Sequence, residues 1–115
     1  MPHIILEIPK EFDKGISHQI IDLSQTNLTE HLPAKLESFK SRVYKYDSCM
    51  VAGGNSKELI HLSIKVLSGR TSGLLCNCAN ELREKLVKLV EICRLDNDKY
   101  VITLEITELS QAYSK

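Results

Sequence analysis

The chain has 115 residues, 43% of them hydrophobic and 26% charged, and its 15 basic side chains balance 15 acidic ones. That composition belongs to single globular domains and excludes disordered and fibrous chains. With a formal net charge of +0 and no basic run there is no positive field for a phosphate backbone, so nucleic acid is not an expected partner.

The longest apolar runs, such as Ile4-Ile5-Leu6, fall far short of the roughly 20 residues that a membrane-spanning helix needs, and no membrane association is expected. Met1-Pro2-His3 runs directly into a strand-like segment without the basic and apolar regions of a secretory leader, which makes a cytoplasmic location the default. Cys49, Cys76, Cys78 and Cys93 form no CxxC pair, so they read as reduced thiols that mostly fill core positions, the last three within one helix. One domain spanning residues 1–115 is expected, and a core this small is often completed by oligomerisation.

His3 to Ile8 alternates Ile4, Leu6 and Ile8 against His3, Ile5 and Glu7, the pattern of a strand with one buried face, and Pro9 limits its length. From about Ser17 to His31, Ile20, Leu23 and Leu28 recur at roughly helical spacing, with Asp13 and Ser17 as possible caps. Asn27 and Thr29 weaken that pattern, and Leu32-Pro33 breaks it. A second extended segment covers Phe39 to Cys49, and Ala52-Gly53-Gly54-Asn55 marks a turn.

Beyond the turn, Ile60, Leu62, Ile64 and Val66 alternate with His61, Ser63 and Lys65, and Gly69 ends the strand. Leu75, Cys78, Leu82, Leu86, Leu89 and Cys93 then recur at steps of three or four, with Arg83, Glu84, Lys88 and Glu91 off the stripe and Glu84 in position to pair with Lys88. After the polar Asp96-Asn97-Asp98 link, Val101 to Thr107 alternates again. The order strand, helix, strand occurs twice. Each half therefore forms a crossover unit joining parallel strands, and the simplest α/β architecture is a four-stranded sheet with two helices packed on one face. The two halves also open alike, with His3 and His61 each followed by apolar residues at matching offsets, which suggests a duplication.

Three places can carry chemistry. Removal of Met1 would expose Pro2 as a secondary amine, and an α-amino group, whose ordinary pKa is about 7.7 to 8.0, moves toward neutrality in an apolar pocket or beside cations. A second-position proline without function is the plain alternative. Lys40 and Arg42 sit at alternate positions of an extended segment, so both emerge on one face together with Tyr44, either as solvated charges or as a pair suited to a carboxylate. Arg70 lies in Ser68-Gly69-Arg70-Thr71-Ser72, just before a helix whose free N–H groups and dipole favour an anion. A surface loop position is the bland reading there. No phosphate loop, nucleophile elbow or metal-ligand spacing is present, so no metal or other cofactor is expected.

Pro2-His3 at the start, Lys40-Ser41-Arg42-Val43, His61 four residues before Lys65, Gly69-Arg70-Thr71 and Leu104-Glu105-Ile106-Thr107-Glu108-Leu109 near the end give the chain a resemblance, over nearly its whole length, to the 5-carboxymethyl-2-hydroxymuconate delta-isomerase family of the tautomerase superfamily. The resemblance implies the tautomerase fold, a homotrimer with active sites near subunit interfaces, and no cofactor. It further implies a cofactor-independent isomerase in which Pro2 moves a proton within an unsaturated 2-hydroxy dicarboxylate, giving the 2-oxo isomer, while Arg70, Arg42 and Lys40 bind the carboxylates. The family reads Arg-Ser-Arg-Val where this chain has Lys40-Ser41-Arg42-Val43, which keeps charge and loses bidentate geometry. Thr71 stands where serine is usual and retains a hydroxyl able to cap the helix. Dehalogenation or decarboxylation of a small acid on the same fold, or a non-enzymatic trimeric binding protein, are the alternatives.

Overall fold

A computed structural model describes residues 2–54, 56–93, 95–96 and 98–115. The elements in chain order are β1 (His3–Pro9), α1 (Lys14–His31), a single 3-10 turn (Leu36–Ser38), β2 (Lys40–Tyr46), β3 (Glu58–Val66), α2 (Ser72–Ile92) and β4 (Tyr100–Glu108). The strands form one sheet in the order β2-β1-β3-β4. β1 runs parallel to β2 and β3 parallel to β4, as crossover connections require, while β1 and β3 meet antiparallel at the centre. The expected four-stranded α/β architecture is the observed one.

Strand parity positions everything that follows. Ile4, Leu6 and Ile8 of β1 and Leu62 and Ile64 of β3 are completely buried, and with Ile20 and Leu28 of α1 and Leu82 and Leu86 of α2 they make the core. Both helices therefore pack on the face carrying these residues. The opposite face has no helix, and the strand registers line up His3, Ile5 and Glu7 of β1 with Lys40, Arg42 and Tyr44 of β2, with Lys65, Ser63 and His61 of β3 and, through β3, with Thr107, Glu105 and Thr103 of β4. We call this the open face.

α1 starts earlier than its apolar spacing suggests. The Asp13 carboxylate accepts a hydrogen bond from the Ile16 N–H at 2.9 Å and caps the helix, so Ser17 is buried inside the first turn and donates its hydroxyl to the Asp13 carbonyl at 3.0 Å. Asn27 does not end the helix, because its buried side chain accepts from Lys85 Nζ of α2 at 2.9 Å. Leu32, followed by Pro33, closes it.

On α2 the buried stripe is Leu75, Cys78, Leu82, Leu86 and Val90. Val90 takes the place expected for Leu89, because 3.6 residues per turn carries a stripe of four-residue steps slowly around the helix. Cys93 is the C-cap rather than a helical residue, and Cys78 alone of the four cysteines is buried, so the core reading holds for that one. Among the described residues the i,i+4 ion pair of α2 joins Glu81 to Lys85, not Glu84 to Lys88.

β2 ends at Tyr46, short of the expected Cys49. In the turn that follows, Ala52 (φ 52°) and Gly53 (φ 80°) both adopt the left-handed conformation and Val51 pairs with Gly54, as in a two-residue primed hairpin turn. Asn55 of that expected turn and Asn97 of the later link lie outside the described residues. Tyr46 has a structural task. Continuing the β1–β3 register by two residues would set Pro9 opposite Leu59, and proline has no N–H to offer. The Tyr46 hydroxyl substitutes, accepting from the Leu59 N–H and donating to the Leu59 carbonyl, each at 2.8 Å.

Candidate active site

Pro2 sits one residue before β1, so its parity is that of Ile4 and it is buried on the helix side of the sheet. Its carbonyl accepts from the Lys40 N–H at 3.0 Å, which fixes the residue against the start of β2. Across from it runs the loop from β3 to α2. Gly69 adopts φ 113°, a conformation suited to glycine, and its N–H donates to the Glu108 carboxylate at 2.7 Å. That turn delivers Arg70, whose Nη1 donates to the Leu67 carbonyl at 2.7 Å while its buried Nε has no hydrogen-bond partner among the described residues. Thr71 caps α2, its hydroxyl accepting from the Leu74 N–H at 3.2 Å.

Pro2 and Arg70 line one cavity of about 210 Å³, closed on its apolar side by Leu32, Pro33 and Val66 and bordered by Lys35. An apolar wall disfavours the charged form of an adjacent amine, and two cations act on it in the same direction. As a lining residue Arg70 brings a guanidinium, a forked donor suited to an anionic oxygen, to this cavity. Lys35 was not among the residues singled out by sequence. It arrives through the Leu32-Pro33 break and the 3-10 turn that follows, an irregular path that no periodicity encodes.

Arg42 and Lys40 do not join this cavity within one chain. They share the open face with His3, on the other side of the sheet from Ile4 and Val66. Arg42 also lines a larger cavity of about 470 Å³ between β2 and α1, with His18, Asp22, Gln25 and Ser41, and Pro2 is not part of it. On the open face, Arg42 Nη1 lies 3.1 Å from His3 Nδ1 and His3 Nε2 lies 2.7 Å from the Tyr113 hydroxyl, with the two rings edge to face at 5.5 Å. Guanidinium can only donate, so His3 Nδ1 accepts and Nε2–H donates to Tyr113. Burial lowers the His3 pKa, and Arg42, Lys40 and Lys65 lower it further, consistent with that neutral tautomer. Among the described residues no group of three or more His, Cys, Asp or Glu side chains could hold a metal ion, and no helix is long and apolar enough to cross a membrane. Met1, whose removal the Pro2 chemistry needs, lies outside the described residues.

No protein-family model matches the sequence, and no curated protein matches it either. Solved structures do match the fold. A 5-carboxymethyl-2-hydroxymuconate isomerase from Deinococcus radiodurans R1 aligns over 99% of this chain and 87% of its own, with a TM-score of 0.78 at 18% identity. N1, a member of the cis-3-chloroacrylic acid dehalogenase family, aligns over 98% and 79%, with a TM-score of 0.77 at 15% identity. A macrophage migration inhibitory factor-like protein from Entamoeba histolytica aligns over 99% and 94%, with a TM-score of 0.71 at 18% identity. The chain thus has the tautomerase fold, and these structural neighbours are tautomerase-superfamily members.

Proposed function

We propose that the protein is a cofactor-independent tautomerase that isomerises 5-carboxymethyl-2-hydroxymuconate or a similar unsaturated 2-hydroxy dicarboxylate to its 2-oxo form. The observation that carries this reading is the meeting of Pro2 and Arg70 in one small, largely apolar cavity. With Met1 removed, the neutral Pro2 amine takes the enol proton and returns a proton to the distant carbon of the conjugated system, so the net change is one proton moved from oxygen to carbon while the two C=C bonds of the dienol become one C=O and one C=C between the middle carbons. Arg70 binds a carboxylate through its guanidinium, and Lys35 at the border stabilises the second carboxylate or the charge that builds on oxygen. Arg42 and Lys40 can serve such a cavity only from a neighbouring copy, which fits a homotrimer with sites near subunit interfaces; a fused 4-OT symmetric trimer is among the structural neighbours, at a TM-score of 0.75 and 12% identity. A cytoplasmic location accompanies this reading.

A second reading keeps the same proline but changes the reaction to dehalogenation or decarboxylation of a small acid. Its support is the range of neighbours, which includes a malonate semialdehyde decarboxylase alongside the dehalogenase-family protein. The deciding experiment measures the intact mass of the untagged protein and, on the same sample, follows the ultraviolet spectrum of a 2-hydroxymuconate-type dienol. Loss of Met1 with fast ketonisation is the expected result, and turnover is abolished when the proline nitrogen is blocked. A free Pro2 with no ketonisation, and release of halide or carbon dioxide from small acids instead, overturns the isomerase reading in favour of the second.

A further inference from the structure

β4 carries its inward-facing parity one residue beyond its apolar side chains. Ile102 is buried, Leu104 and Ile106 pack against the core, and the next residue on that side is Glu108, which the register sets opposite the buried Val66 of β3. Opposite residues of a parallel pair share a face, so a carboxylate stands where the alternation calls for another apolar side chain. Being the last residue of β4, it does not enter the core. The Leu109 N–H closes the sheet on the Val66 carbonyl at 2.7 Å, and the Glu108 carboxylate reaches past that point to accept from the Gly69 N–H, also at 2.7 Å.

That bond falls in the middle of the loop that carries Arg70. Leu67 at its start and Arg70 at its end both line the Pro2 cavity. Among the described residues, the Glu108 bond is the single hydrogen bond that ties residues 67–70 to another part of the chain, since the bond from Arg70 Nη1 to the Leu67 carbonyl is internal to the loop. Gly69 sits at φ 113° with open space where a Cβ would stand, so packing around it does not select this turn from the many conformations that glycine allows. A fixed acceptor does select it. Nor does the carboxylate neutralise the arginine: among the described residues Arg70 takes part in no ion pair, and its charge is left for a ligand.

We propose that Glu108 is a positioning residue for Arg70: its carboxylate fixes the Gly69 turn, and through it the place of the guanidinium in the cavity, by reach and an acceptor oxygen rather than by negative charge. The inference rests on the reading of Pro2 as the proton-transferring amine and Arg70 as the carboxylate holder.

The test compares Glu108→Gln, Glu108→Asp and Glu108→Ala with the parent, measuring kcat and KM for a 2-hydroxymuconate-type dienol and following the Gly69 amide proton by NMR. Glutamine keeps the length and an acceptor oxygen, whereas aspartate keeps the charge and is one methylene short. Expected are a kcat/KM within about threefold of the parent for Glu108→Gln, and a loss of about 5- to 20-fold, mainly in KM, for Glu108→Asp and Glu108→Ala, with the Gly69 amide proton moved upfield in those two alone. In an Arg70→Ala background the loss shrinks to about twofold or less, because a residue that acts through Arg70 has nothing left to place. Urea midpoints of every variant separate lost positioning from lost folding. The proposal is overturned if Glu108→Asp keeps activity and Glu108→Gln loses it, which makes the effect one of charge, if all three variants turn over as the parent does, or if the loss is as large in the Arg70→Ala background. A parent without ketonisation overturns the tautomerase reading and this proposal with it, whereas an active parent with unchanged variants removes Glu108 alone.

Discussion

Tyr46→Phe isolates one polar interaction on which the end of the central strand pair depends. The ring stays, and the only loss is the hydroxyl that serves both the N–H and the carbonyl of Leu59 at 2.8 Å each. Pro9 cannot replace it as a donor, so both groups of Leu59 are left to whatever water reaches a half-buried strand end. An unmade hydrogen bond on a buried backbone group costs about 1–3 kcal/mol, and partial access to water puts the expected loss near the middle of that range, about 2 kcal/mol. The pH dependence gives a second, independent signature. Burial pushes the Tyr46 phenol up to about 12, with the Leu59 hydrogen bond acting in the opposite direction and Cys49 and Glu58 adding to the rise. The unfolded phenol ionises near pH 10, so between about pH 10 and 12 the unfolded state releases a proton that the native state keeps, and stability falls as pH rises. At about 1.36 kcal/mol per pH unit, the parent loses an extra 1–2 kcal/mol by about pH 11 that the phenylalanine variant does not. Urea unfolding followed by circular dichroism at about pH 8 and pH 11 measures both effects, with the denaturant slope as a check on two-state behaviour. A variant within about 0.5 kcal/mol of the parent at pH 8, or a parent-to-variant gap that stays constant with pH, refutes this account of Tyr46.

Other expectations follow from single contacts. Asp13→Ala removes the side chain that caps α1 through the Ile16 N–H, and lowers unfolding free energy by about 1 kcal/mol, read from the urea midpoint. His3 holds a lowered pKa, chiefly through burial and then through Arg42, so the unfolded chain binds a proton before the native one does; stability is at its full value above the ordinary histidine range and declines as pH falls from about 6.5 toward the lowered value, which an NMR titration of His3 alongside urea midpoints checks. Arg70→Lys loses the forked donor, and under the proposed reaction lowers kcat/KM for a dicarboxylate by about 10- to 100-fold, corresponding to a charge-assisted hydrogen bond of about 1.5–3 kcal/mol. An unchanged kcat/KM removes Arg70 from carboxylate binding.

The parts of the fold that were legible in the sequence are those governed by a period. The alternation in β1 and β3 gave the buried set Ile4, Leu6, Ile8, Leu62, Ile64 and Val66, and the steps of three and four in α2 gave all of its buried stripe except Val90. Asp13, one of the two cap candidates, does begin α1, but the helical stretch was placed from about Ser17 because the buried face includes Ser17, Ser24 and Asn27, polar side chains that bond to Asp13, Ile20 and Lys85 and leave no apolar period to read. Of the candidate site, Pro2 and Arg70 were readable and do meet. Their separation from Lys40 and Arg42 was readable in principle, since a residue two positions before Ile4 must face the helices with it, but that inference needs the β1–β2 register, which no local pattern supplies. Lys35 and Tyr113 reach their places along irregular segments, where position is decided by the packing of the rest of the chain.

The suggested duplication acquires physical content from the sheet. Because β1 and β3 run antiparallel, the two halves are related by a rotation that sets His3 opposite Lys65 and His61 opposite Glu7, one histidine at each end of the open face. The partner strands extend the correspondence: Lys40 and Arg42 stand beside β1 as Thr103 and Glu105 stand beside β3. Equivalent positions have thus taken opposite roles. His61 pairs its Nδ1 with the Thr103 hydroxyl at 2.6 Å and has Glu105 4.0 Å from its Nε2. His3 is held neutral among three cations. A repeat that needed only to fold would be free to keep the same charges at both ends, since these side chains lie outside the core. The polarity of the open face is therefore not a requirement of packing in the core.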